Sequence, residues 1–201
     1  MRPKLSQTAV TLTFVPFAIL LSAALLVAEQ AEALDHARLV YASWVSLAFA
    51  TPALALFVFP RTRTGEYALL TWTFSLAAYL VHFYYAFGVN YHGSVAATYA
   101  GQGPIIATSN FTLTALWIVD VVTSWTVRRE VRWLAALRLV ARGLVLVTFV
   151  TAVILFDGFV RVLGSAMIVV IASSIAIRVI EFVRHRGGAS RSALAPGATA
   201  S

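Results

Sequence analysis

The sequence predicts an all-α integral membrane protein, a bundle of about six transmembrane helices with both termini in the cytoplasm. Three observations predict it. The 201 residues are 60% hydrophobic and only 11% charged, with a mean hydropathy of +0.85, whereas a soluble domain is about 25% charged. The apolar residues fall into six stretches, each near the roughly 20 residues a helix needs to cross about 30 Å of hydrocarbon. The basic residues fall on alternate loops between those stretches, as cytoplasmic loops require.

The six spans are read at 8–28, 39–59, 67–87, 108–125, 137–156 and 160–183. Backbone polar groups in lipid must satisfy one another within the segment, which makes these spans helices. The fifth is the shortest in uninterrupted apolar length, 143–156, and extending it back to Leu137 expects Arg138 and Arg142 to snorkel toward the headgroups. The stretch 128–142 mixes arginines with Val131, Trp133, Leu134 and Leu137, which predicts an interfacial basic segment ahead of that span. Residues 1–186 form the transmembrane domain. The Gly, Ser, Ala and Pro composition of 187–201 predicts a disordered cytoplasmic tail.

Thirteen of the fifteen basic residues, from Arg2 and Lys4 to Arg191, occupy alternate loops and ends, and only Arg38 and Arg161 lie on the opposite side. A five-span chain would place the last arginines outside, so six spans satisfy the positive-inside rule. Arg2, Lys4, the apolar run and Ala31-Glu32-Ala33 resemble a signal peptide. The run 10–27, however, exceeds the usual h-region of 7–15 residues, which favours an uncleaved span.

Charge dispersed over short loops speaks against a nucleic-acid surface despite the net charge of +7. The absence of cysteine excludes thiolate metal sites and cysteine nucleophiles. A lone lysine, Lys4, leaves no P-loop or intramembrane Schiff-base lysine. Neither GxSxG nor GxGxxG occurs, and the sequon at Asn110 sits at a helix start. Fourteen arginines against one lysine, with abundant alanine, suggest a GC-rich bacterial source and hence the inner (plasma) membrane.

Asp120 lies well inside the fourth span, where an ionised carboxylate costs about 2.5–3.5 kcal/mol and calls for partners. It belongs to a polar stripe at helical spacing with Asn110, Thr114, Trp117 and Ser124, and the third span carries a matching stripe of Thr71, Ser75, Tyr79, His82 and Tyr85. Counting inward from the span ends puts Asp120 level with Ser75. The reading is therefore a polar seam between the third and fourth spans, with Asp120 bonded to Ser75 or Tyr79 and His82 at its outer mouth. Interhelical glue accounts for the same residues without a pathway.

The long loop between these spans, 88–108, has no charged residue and holds four glycines. Its apolar middle predicts a short interfacial helix, with Tyr91, His92, Tyr99 and Gln102 presented over the seam as an outer vestibule or serving as an aromatic belt. His36, His82 and His92 share the outer side, so a transition metal or haem there is a second reading, although their spacing matches no ligand motif. Two functions from different classes follow. One is non-enzymatic: a small proton-linked transporter using the seam, or the membrane subunit of a larger complex with a protein partner or further copies of itself. The other is a membrane-embedded enzyme or metal or haem redox protein acting at the outer face.

Overall fold

A computed structural model describes residues 5–59, 61–127, 131–155 and 158–193. The elements are α1 (Gln7–Ala28), α2 (Leu34–Phe57), α3 (Arg61–Phe83), a π-helical turn (Tyr84–Asn90), α4 (Val95–Gln102), α5 (Pro104–Thr126), α6 (Arg132–Leu155) and α7 (Phe159–Ala193). No strand occurs among the described residues. Five helices are long and apolar enough to cross a membrane: α1, α2, α5, α6 over Arg132–Thr151 and α7 over Arg161–Arg184. A sixth long helix, α3, has 23 residues but carries threonines, a serine and tyrosines that lower its hydropathy. It lies against α1, α2 and α5.

Helices α2, α3, α5, α6 and α7 close into a ring, each packed on the next and α7 returning to α2. One core fills the ring, with Leu47 and Leu54 from α2, Trp72 and Leu76 from α3, Leu113 and Trp117 from α5, Val145 from α6 and Met167 from α7. Between lipid-facing helices association rests on close packing and polar contacts, since lipid tails are as apolar as leucine. The α2–α3 pair follows that rule. Ala42, Ser46, Ala50 and Ala53 are buried on α2, as are Ala68, Ser75 and Ala78 on α3. Ser75 Oγ donates to the Ser46 carbonyl at 2.7 Å and Ser46 Oγ to the Ser75 carbonyl at 3.0 Å.

Outside the ring, α1 lies along the α2–α3 groove. Phe17 stacks on Phe74 at 4.8 Å between centroids and meets Phe49 edge-on at 5.5 Å. Its N-terminus is capped twice. Ser6 Oγ accepts from the Ala9 N–H, and the Ser6 N–H donates to Glu66 of α3 at 2.8 Å. At the other end Arg38 of α2 pairs with Glu29, which follows α1, and with Asp35 at 3.6 Å.

The segment between α3 and α5 contains the expected short helix. Ser94 caps α4 through the Ala97 N–H at 3.2 Å, and Gly103 at φ +78° separates α4 from α5. Pro104 then opens α5 at a position that needs no N–H donor, so this helix begins four residues before the expected 108.

The basic segment is a correction. It does not form a separate interfacial helix where described: α6 runs unbroken from Arg132, and Arg138 is buried instead of snorkelling to the headgroups. Arg138 and Arg142 share one helix face at i, i+4, and that face meets a buried counter-charge on α5, described next. Residues 128–130 lie outside the described residues. At the C-terminal end α7 continues to Ala193, into the segment read as a tail, and 194–201 lie outside the described residues.

Candidate functional site

Asp120 is fully buried. It sits two turns from the C-terminal end of α5, an apolar helix whose inward stripe includes Leu113, Thr114, Trp117 and Val121. Its Oδ2 accepts from the indole Nε1–H of Trp72 on α3 at 2.9 Å. Two guanidinium groups of α6 face the same carboxylate: Arg138 Nε stands 3.5 Å from Oδ1 and Arg142 Nε 3.7 Å from Oδ2. Ser124, one turn along α5, places its hydroxyl 3.5 Å from Oδ1. A buried charge is tolerated when it is paired and hydrogen-bonded, and this carboxylate has both kinds of partner.

The arrangement closes on itself. Arg142 lies over the ring of Phe57 on α2, 3.5 Å from its centroid. Phe57 meets Trp72 edge-on at 5.6 Å. Asp120, Trp72, Phe57 and Arg142 thus link α5, α3, α2 and α6 at one depth. By backbone packing α6 touches α5 and α7. At this depth it also reaches α2 through Arg142, which lies over Phe57.

A second polar zone occupies the other half of the α3–α5 interface. Tyr79 Oη and Thr114 Oγ1 are 3.2 Å apart, and Thr114 donates to the Asn110 carbonyl at 2.7 Å. Asn110 Nδ2 donates to Gln102 Oε1 of α4 at 2.9 Å. Between the zones lie the rings of Trp72 and Trp117, 4.7 Å apart, with Tyr79 5.2 Å beyond Trp117. Trp117 is fully buried, and its Nε1 has no hydrogen-bond partner among the described residues. The expected continuous seam is therefore two polar zones with an aromatic layer between them.

Several expected contacts are replaced. Asp120 bonds to neither Ser75 nor Tyr79: Ser75 is engaged with Ser46, Tyr79 with Thr114, and the α3 residue at Asp120 is Trp72. Asp120 stands about one helical turn from the expected depth because α5 begins at Pro104, four residues before the apolar stretch. His82 Nδ1 lies 2.9 Å from the Leu39 carbonyl of α2, at the far end of the second zone.

The four outer residues lie on or beside α4. Tyr99 Oη meets Thr108 Oγ1 at 2.9 Å, Gln102 holds Asn110, and the Tyr91 ring covers Gly101, where a Cβ would fall 2.6 Å from its edge. His92 is exposed at φ +51°. His36, His82 and His92 do not converge. Among the described residues no group of three or more His, Asp or Glu side chains could hold a metal ion. The expected three-histidine site is corrected on that geometry.

The residues missed from sequence are Trp72, Arg138 and Arg142. Their signals were present: an intramembrane acid without an assigned cation, and two arginines four apart at the start of the following span. No protein-family model, curated protein or solved structure matches the chain. Its several apolar helices are compatible with a multi-pass membrane protein.

Proposed function

We propose that the chain is a six-span protein of a bacterial inner membrane, with both termini cytoplasmic, that acts as a small proton-linked transporter. In this reading Asp120 is the proton-carrying group and α6 the element that moves. The observation that supports it most is the fully buried Asp120 held against two arginines of a single neighbouring helix. While Asp120 is ionised, it draws Arg138 and Arg142 inward. Once it is protonated, that attraction is lost and α6 is released to swing out. Deprotonation restores the closed state.

The other pathway residues take distinct parts. Tyr79 and His82 serve the outer zone as proton relay and mouth. Ser75, bonded to Ser46, keeps α2 and α3 together as the fixed half of the bundle. Tyr91, His92, Tyr99 and Gln102 form the outer vestibule, and the Trp72–Trp117 pair is the barrier between zones. Six spans follow when α3, the sixth long helix, is counted with the five apolar ones.

The test is a flux assay in proteoliposomes with a trapped pH dye and a panel of small organic ions outside. At least one solute should drive a pH change with the wild-type protein and none with Asp120→Asn. Equal flux from both would remove Asp120 from the mechanism. A second reading, the membrane subunit of a larger assembly, draws on the broad apolar faces of α1 and α7, where Leu12, Phe14, Ile19, Val169, Ile175 and Ile180 are exposed.

A further inference from the structure

An apolar crevice of about 440 Å³ lies where α1 ends and α2 and α7 begin, lined among others by Leu20, Ala24, Trp44, Ala48, Phe159 and Leu163. One wall is an aromatic row: Tyr41 and Trp44 are 4.6 Å apart between centroids, and Trp44 and Phe159 4.7 Å. The indole Nε1 of Trp44 is shielded in that wall and has no hydrogen-bond partner among the described residues.

We infer that this crevice seats one acyl chain of a membrane phospholipid. The inference rests on the membrane reading above. Three features select the occupant. Water is a poor one, since apolar cavities without polar partners stay dry. A partner helix fits badly, because a helix about 10 Å across displaces roughly 400 Å³ per turn, so the crevice would take a single turn. The flanking helices α1 and α7 are the two with the least buried apolar windows, so the crevice faces hydrocarbon from the side. Ala24 and Ala48 provide the space. In the proposed orientation the lipid belongs to the outer leaflet.

The experiment uses the full-length protein in vesicles of phosphatidylcholine brominated on its acyl chains, which quench tryptophan on contact. The vesicles are then mixed with an excess of unbrominated vesicles, and the return of emission is followed. A chain held in the crevice should give a slow phase of recovery that is absent in Trp44→Phe and lost in both Ala48→Phe and Ala24→Leu. Recovery of the wild-type protein in one fast phase would overturn the proposal, as would a slow phase that survives in the filled variants. Absence of quenching at all five tryptophans, including the exposed Trp133, would instead show that the chain does not enter the bilayer.

Discussion

The indole N–H of Trp72 donates to the carboxylate of Asp120 across 2.9 Å, fastening α3 to α5 at the depth where α6 presents Arg138 and Arg142. The same indole meets Phe57, and Phe57 carries Arg142 on its face. Four helices are thereby joined around one carboxylate.

Removing that carboxylate takes away the buried counter-charge that Arg138 and Arg142 face. Asp120→Ala should lower stability by about 3–5 kcal/mol, the usual result of breaking a buried ion pair from one side. Trp72→Phe keeps the ring and loses the donor, at a cost of about 1.5–3 kcal/mol for a hydrogen bond to a charged group. Replacing Arg138 and Arg142 by Met in the Asp120→Ala background should recover most of the loss, since apolar residues of similar volume tolerate the site. Unfolding in detergent micelles measures all three, and an Asp120→Ala protein as stable as wild type would refute the ion cluster.

The α2–α3 contact depends on small size more than on its hydrogen bonds. Ser75→Ala should cost only about 0.6 kcal/mol, as interhelical hydroxyl contacts do in membranes. Ser75→Leu drives a side chain into Ser46 and the neighbouring backbone, and overpacking of this kind costs about 1–3 kcal/mol or more. The same unfolding assay should rank the two variants in that order.

Gly103 adopts φ +78° and ψ 161°, a region open essentially to glycine alone. Gly103→Ala should cost about 1–3 kcal/mol and displace α4 from the start of α5. Loss of the Tyr99–Thr108 contact would report that shift as increased proteolysis between α4 and α5.

The absence of cysteine permits single-cysteine topology mapping in the native background. With both termini inside, His92→Cys should react with a membrane-impermeant thiol reagent added to intact cells, and Gln7→Cys only after lysis. The reverse pattern would invert the orientation.

Much of the architecture was legible because lipid imposes it. Spans of about 20 residues, the glycines of the 88–108 loop and the demand of Asp120 for partners are all local signals. Ring closure between α2 and α7 was not legible, since it depends on contacts between helices about a hundred residues apart. Sequence places Arg138 and Arg142 at the headgroups because a long arginine at a span end satisfies either environment, and depth alone does not select one. Trp72 was hidden for a related reason: its ring belongs to the core, and only its N–H discloses the buried acceptor beside it.

The most direct test of the account is a spin-label distance measurement between Gln7→Cys, beside the N-terminus of α3, and Ala136→Cys on α6. Both positions are exposed. Asp120→Asn imitates the protonated carboxyl, so it should add a longer-distance population as α6 swings out, while the parent shows a single distance. Identical distributions in the two proteins would contradict the claim that the charge of Asp120 holds α6 in place.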